Sequence, residues 1–512
     1  MTMVNELGFE WSVPECLYFY TKLVTALLLA WSFLHGRKRR LLPPGPFQLP
    51  ILGNLHLLLG GLPHRALAAL SLKYGPLMSL RLGSTLTLVV STPEVAKEFL
   101  KTHDRLFASR PPTAAAEYMT YNYSDIALAP YGPSWRHLRK VCVLQLLSSR
   151  QIEHFRSIRE EETSAMIRSL INISDHPVSN ITKTASELTN ALICRMAFGR
   201  KYSDQDLIGG EGIDSMIKES FLLAGSFNIG DYIPFLARMD LQGLNRRFKN
   251  IQKTYDYLLE KIINEHASHK NKPNAIPDLV DVLLAASAVE TMEFKITREN
   301  IKAVINDIFL AGTDTASTTI EWAMSEVIRN PPVLKKLQDE MGRVVGVGRM
   351  VRESDLPSLV YLQAVVKETF RLHPPAPLAI PHISVEDCTV LGYEIPRGTC
   401  LLINVWAIGR NPKSWGEDAE SFRPERFMED GFLESKVEKF EWIPFGAGRR
   451  GCPGQQLGML VVEFAVAQLV HCFNWRLPNG QELDMTEKYN GITLPRDHEL
   501  LAVPTLRLPI LI

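Results

Sequence analysis

The chain has 512 residues and 46 % hydrophobic side chains, enough for a large globular core and, by length alone, two domains. Basic and acidic residues balance at 56 each, which excludes the basic electrostatic footprint of a nucleic-acid binder. Seven scattered cysteines with no CxxC pair exclude a disulfide framework or a structural zinc site, and suit a reducing compartment.

Residues 17–34 are apolar with Lys22 as the only charge, near the lower length limit for a membrane span. Arg37, Lys38, Arg39 and Arg40 follow at once, while Glu6, Glu10 and Glu15 precede. Positive charge stays on the cytosolic side, so a lumenal N-terminus and a cytosolic remainder are expected. A cleaved signal peptide competes with this reading, but it wants a basic n-region that is absent here. The stretch Pro43-Pro44-Gly45-Pro46, with Pro50, Gly53 and Asn54, is a stiff break. The expected organisation is therefore an anchor with its basic stop (1–40), a proline-rich hinge (41–54) and one large globular unit (55–512).

The runs 77–82 and 86–90, joined by Gly83-Ser84, read as a hairpin. Thr92 as N-cap and Pro93 at N1 open a helix through Leu100. Residues 108–129 are irregular, rich in aromatics and proline. Trp135 and Arg139 lie four apart, on one face of a helix that also carries Arg136 and Lys140. An amphipathic surface helix accounts for that spacing equally well. From 151 to about 269 the pattern is helical, broken at 227–234, and 270–277 reads as an exposed loop.

Thr297 caps a long helix that Pro331-Pro332 stops. Its middle, Ala311-Gly312-Thr313-Asp314-Thr315, puts poor helix formers and a carboxylate into an otherwise apolar face. A local rule broken in a core element signals function. A helix kinked at Gly312 with Thr back-bonding is the competing reading. Glu368 and Arg371 are spaced for a helical ion pair. Residues 374–383 end that helix and start a strand containing His382, and Arg426 sits in Phe422-Arg423-Pro424-Glu425-Arg426-Phe427.

Phe445-Gly446-Ala447-Gly448-Arg449-Arg450-Gly451-Cys452-Pro453-Gly454 is a glycine-rich loop that lets backbone approach a large flat object closely. The residues after it, 455–473, are apolar at helical spacing. The loop thus presents a thiol at a helix N-terminus, where the dipole favours thiolate and lowers the pKa.

Phe445, Gly448, Arg450, Cys452 and Gly454 fit the haem-binding signature of the cytochrome P-450 haem-thiolate monooxygenases. The Trp135–Arg139, Ala311–Thr315 and Glu368–Arg371–Arg426 motifs follow in the family's order. The chain resembles the plant microsomal (A-type) enzymes of specialised metabolism over nearly its whole length. The resemblance implies a mostly α fold with a smaller β-rich part, behind an N-terminal transmembrane anchor. It implies a haem b whose iron takes the Cys452 thiolate, with Phe445 in the cysteine loop and Trp135, Arg139, Arg450 and His382 at the propionates. His382 stands where relatives often carry Arg, and a neutral His gives a weaker contact. Asp314 and Thr315 are implied to manage protons. Glu368, Arg371 and Arg426 are implied to lock the loop carrying the cysteine. Met119, Tyr121, Ile308, Ala311, Ala376, Leu378, Ala379 and Thr493 are implied to line an apolar substrate pocket.

The reaction so implied is oxygenation of a hydrophobic terpenoid or phenylpropanoid/flavonoid. Electrons would come from NADPH through a separate NADPH-cytochrome P-450 reductase, since no GxGxxG follows a strand. Endoplasmic-reticulum membrane lipid is the other implied partner, with a single pass. A haem-thiolate isomerase or dehydratase, and a non-catalytic membrane-anchored haem protein, are the alternatives; neither needs the Asp314-Thr315 pair. The sequons at Asn122, Asn172 and Asn180 should then carry no glycan, because they would face the cytosol.

Overall fold

A computed structural model describes residues 41–508 except 59, 173–177, 203–211, 269–276, 289–293, 430 and 481, together with 3–4, 10–11, 18, 20–22 and 25. Most of the expected span at 17–34 and most of the 270–277 loop lie outside the described residues. Among the described residues no helix is long and apolar enough to cross a membrane.

The β-rich part begins with the hairpin β1 (Leu77–Leu82) and β2 (Thr85–Val90), antiparallel with Leu82 opposite Thr85. Its turn uses Gly83 at φ 57°, a left-handed angle that glycine adopts without strain. Residues 108–129, expected to be irregular, contain a helix at Ala114–Met119, whose N-cap Thr113 accepts a hydrogen bond from the Ala116 N–H. Helix α1 (Pro133–Val141) carries Trp135 and Arg139. A short strand β3 (Ser179–Asn180) leads into α2 (Ile181–Phe198).

The centre of the molecule is α3 (Arg298–Arg329), 32 residues long. A capping box starts it: Thr297 and Asn300 satisfy each other's backbone N–H groups. Asn330 ends it, donating from its side chain to the Glu326 carbonyl, and Pro331 opens the next helix. Nearly every residue of its second half is buried. It packs against α2, against α4 (Val360–Leu372) and against α5 (Gln455–Cys472). Strands β4 (His382–Ile383) and β5 (Cys400–Ile403) complete a four-stranded sheet in the order β1-β2-β5-β4, with β2 and β5 parallel. Strands β6 (Phe473–Arg476) and β7 (Leu501–Leu506) pair with each other, and β7 with β3.

Two glycines bring backbone against backbone where the helix ending at Ala224 meets the turn at Gly491. A Cβ on Gly225 would fall 2.1 Å from the Gly491 carbonyl carbon. One on Gly491, at φ +71°, would fall 2.1 Å from the Phe221 carbonyl oxygen.

Candidate functional site: the Cys452 loop and the face of helix α3

The Cys452 loop is folded back on itself. The Cys452 N–H donates to the Phe445 carbonyl at 2.8 Å, and Gly451 N–H to Gly448 O at 3.1 Å. Gly446 and Gly448 have φ of 68° and 67°; a Cβ on Gly448 would also strike the Leu100 carbonyl at 2.3 Å. Both positions thus demand glycine. Phe445 packs on Phe370 of α4, with ring centroids 4.8 Å apart. Burial raises the Cys452 thiol above its ordinary value, while the Gly454 N–H and Arg139 pull it down. A cation on sulfur, such as iron, restores the thiolate.

Helix α3 reaches this region through Asp307, which accepts from the Ile126 and Ala127 N–H groups. Ala311 is exposed, and Ile308, Leu310, Gly312 and Thr315 are half-buried, between the buried Phe309, Thr313, Asp314 and Ala316. Thr313 and Thr315 donate to the carbonyls of Phe309 and Ala311, and the helix continues unbroken through Gly312. On its α2 side Gly312 is closely packed: a Cβ there would lie 2.6 Å from Ile193 Cδ1. Its small size serves close helix packing.

Three arginines converge beside the loop. Arg139 donates to the Gly451 carbonyl. Arg450 donates to the carbonyls of Ala108, Ile126 and Ala129, and stacks 4.0 Å over the Trp135 ring. The Trp135 Nε1–H donates to Ile126 O at 2.9 Å. Arg110, absent from the sequence-based site, is 7 % exposed and ties Ala127 to Ile380 and Pro381. Burial and mutual repulsion push Arg110 down to about 9 and Arg450 to about 10. His382 lies in the same neighbourhood, but burial, then Arg110 and Arg450, depress it to about 3, and its Nδ1 pairs with Phe107 O. It is neutral there, and Arg110 is the cation that its position lacks. A buried cluster of guanidiniums next to a thiol is chemically matched to a dianion bearing a metal, as two haem propionates and their iron are.

Glu368 sits between Arg371 (2.6 Å) and Arg426 (3.0 Å), all at most 4 % exposed. Arg371 also donates to the carbonyls of Gly409, Ala419 and Ser421. The cluster thereby ties α4 to the segment 409–426 that precedes the cysteine loop.

The pocket candidates divide. Leu494 N–H donates to Pro375 O at 3.0 Å, bringing the turn with Thr493 against the stretch with Ala376, Leu378 and Ala379. Trp322 of α3 donates to Leu494 O at 2.8 Å, so α3 joins the same corner. Met119 is buried in helix Ala114–Met119. Ile308 instead lines a small apolar cavity with Leu146, Ile193 and Leu457. Tyr121 faces a charged group, with Lys302 over its ring at 5.4 Å, and burial and then Asp256 raise its phenol pKa. A separate cleft of about 1,010 Å³, lined by Tyr118, Asp231, Arg238 and Lys249 among others, contains none of these site residues.

The family model for cytochrome P450 matches residues 43–503. The chain is a cytochrome P450. A cytochrome P450 of Pinus taeda is 46 % identical, covering 94 % of each chain. A flavonoid 3'-monooxygenase of Petunia hybrida is 42 % identical, covering 96 % of this chain and 98 % of the relative. Among solved structures, a zebra fish cytochrome P450 with abiraterone superposes with a TM-score of 0.74 at 29 % identity, covering 87 % of this chain and 99 % of that one. The mostly helical fold with its smaller β part is thus the cytochrome P450 fold, and the protein is a monooxygenase of that family, built for a haem with a thiolate ligand.

Proposed function

We propose that this cytochrome P450 hydroxylates a hydrophobic plant metabolite of the phenylpropanoid or flavonoid type, with electrons from NADPH through a membrane-bound reductase. The observation that supports the reading is that Arg139 bonds the Cys452 loop at Gly451, while Arg110 and Arg450 bond the carbonyls of Ala127 and Ile126, whose N–H groups donate to Asp307 of α3. Two relatives named for flavonoid 3'-oxygenation, and one named desmethyl-deoxy-podophyllotoxin synthase, support an aromatic substrate over a terpenoid.

Each residue has a stated job. Cys452 would hold the iron, and Arg110, Arg139, Arg450 and Trp135 would hold the propionates, once their present carbonyl partners are shared. The haem supplies activation of O2. Ala311 leaves room beside it, Thr315 Oγ1 holds or passes a proton, and Asp314 connects that hydroxyl to the protein interior. Ala376, Leu378, Ala379 and Thr493 present a mostly apolar wall that orients the substrate and excludes water. The basic run 37–40 and the apolar 17–34 support anchoring in the endoplasmic reticulum with this domain in the cytosol.

Titration of the purified holoenzyme with matched flavonoid and terpenoid panels tests the substrate class; a haem spin-state shift with the terpenoids alone would reverse it. Replacing Cys452 with Ser tests the ligand. Loss of the thiolate signature in the reduced carbon-monoxide complex is expected, and its retention would remove Cys452 from the iron. Glycosidase-sensitive mass on Asn122, Asn172 or Asn180 from plant microsomes would reverse the topology.

A further inference from the structure

Two turns beyond Asp314, α3 buries a second carboxylate that the reaction above does not use. Glu321 is 3 % exposed. Seven residues separate it from Asp314, which places both on one face, about 10 Å apart along the axis. Ser317 and Thr318 lie between them on that face, and Ser317 Oγ donates to the Asp314 carbonyl at 3.0 Å. On its outer side Glu321 accepts the Thr182 hydroxyl, at the half-buried first turn of α2, next to exposed Lys183. The Arg496 backbone N–H and guanidinium also face it. Arg496 is 5 % exposed, and its Nε and Nη1 have no hydrogen-bond partner among the described residues. Its Nη2 donates to the carbonyl of Asp484, an exposed residue. Polar side chains therefore lie along one face of α3 from Asp314 to Glu321, and Glu321 continues through Thr182 and Arg496 to the protein surface.

We propose that Glu321 is the surface-side carboxyl of a proton path that runs along α3, through the Ser317 and Thr318 hydroxyls, to Asp314. The proposal rests on the monooxygenase reading, in which Asp314 and Thr315 must be resupplied with protons. In each passage the Glu321 carboxylic acid gives its proton inward and is left as carboxylate. That carboxylate then takes a proton from solvent by way of the Thr182–Arg496 end. Burial raises the Glu321 acid to about 7; the Thr182 hydroxyl and Arg496 lower it, and Asp314 raises it further. A carboxyl in that range both holds and releases a proton at neutral pH.

The test uses the full-length holoenzyme with reductase, a spin-shifting substrate, and the variants Glu321→Gln, Glu321→Asp, Thr318→Val and Thr315→Ala. Two quantities are read: product per NADPH across pH, and the infrared band of a buried protonated carboxyl across pH. Glu321→Gln should remove one component, with a midpoint near 7, from the wild-type band; the wild-type-minus-variant difference isolates it from Glu463, which burial raises into the same range. Glu321→Gln should lower product per NADPH about 10-fold and flatten its pH dependence, with Glu321→Asp within about 3-fold of wild type. If Glu321→Gln fails to retain haem, Thr318→Val, which removes the intervening hydroxyl, should give the same fall in coupling. A Thr315→Ala variant that uncouples while Glu321→Gln and Thr318→Val stay coupled overturns the path and leaves the monooxygenase reading standing. Lower thermal stability in Glu321→Gln with unchanged coupling assigns Glu321 to structure and also overturns it. Product formed by wild type without O2 overturns the monooxygenase reading, and the path falls with it.

Discussion

The Thr315 hydroxyl donates to the Ala311 carbonyl one turn back, at 2.6 Å. Its proton is engaged with the helix while its lone pairs can still accept. Delivery of a proton from this hydroxyl therefore requires rotation away from Ala311 and a fresh proton from behind. Thr315→Ala leaves helix propensity nearly unchanged. Haem content should persist, product per NADPH should fall, and hydrogen peroxide should rise. General acid catalysis sets an upper scale of about 100- to 10,000-fold for that fall. An unchanged ratio of product to NADPH would take Thr315 out of the reaction.

Gly312 offers a sign test. Ala in its place gains about 1 kcal/mol of helix propensity but brings a methyl to 2.6 Å from Ile193 Cδ1. Overpacking of this kind costs about 1–3 kcal/mol. Gly312→Ala should therefore be neutral or destabilising alone. It should become stabilising when Ile193→Val removes the opposing methyl, with a coupling of at least about 0.5 kcal/mol in a double-mutant cycle. Additive stabilities from chemical denaturation would show that the contact carries no strain.

Glu368 neutralises two buried guanidiniums at once. Glu368→Gln leaves Arg371 without a carboxylate partner and Arg426 with only Asp418, 3.4 Å away. Breaking a buried pair costs about 3–5 kcal/mol. The expected product is a chain that expresses but retains little haem, with a clearly lowered Tm. A variant with wild-type Tm and haem content would show that the arginines' five carbonyl partners suffice.

Much of this site was readable before any coordinates. The capping box at Thr297–Asn300, the Pro331 stop and the glycines around Cys452 are local signals, and each reports a local need. Arg110 was not readable: it precedes Pro111-Pro112 in a stretch without periodicity, and its partners, Ile380 and Pro381, are some 270 residues away. Helix Ala114–Met119 was hidden because only six residues lie between a proline-rich entry and the left-handed residues Tyr121–Tyr123. The close packing of Gly312 on Ile193 of α2 was not readable either. In each failure the deciding neighbour is distant in sequence.

Stability should respond to pH through Glu463 on α5, which burial raises to about 7, opposed by Lys367. A raised carboxyl binds its proton in the folded state over a range where the unfolded chain has released it. Its stabilising contribution is full below the ordinary value of 4.5 and is lost as pH rises through about 7. The ceiling is about 3 kcal/mol, lowered to about 1–2 kcal/mol by partial exposure. Glu463→Gln should flatten the fall in Tm between pH 5 and 8, by about that amount. Parallel wild-type and variant curves would show that Glu463 keeps an ordinary acidity.

The mutual contact of Gly225 and Gly491 bears on how this enzyme can be retrained. The turn that presents Thr493 and the helix ending at Ala224 have no side chain between them to shorten, lengthen or re-angle. A combinatorial library that varies either glycine samples mostly misfolded members, since each substituent lands on backbone. Diversity is better placed at Ala376, Leu378 and Thr493, the residues proposed to face the substrate, where no such backbone contact stands in the way.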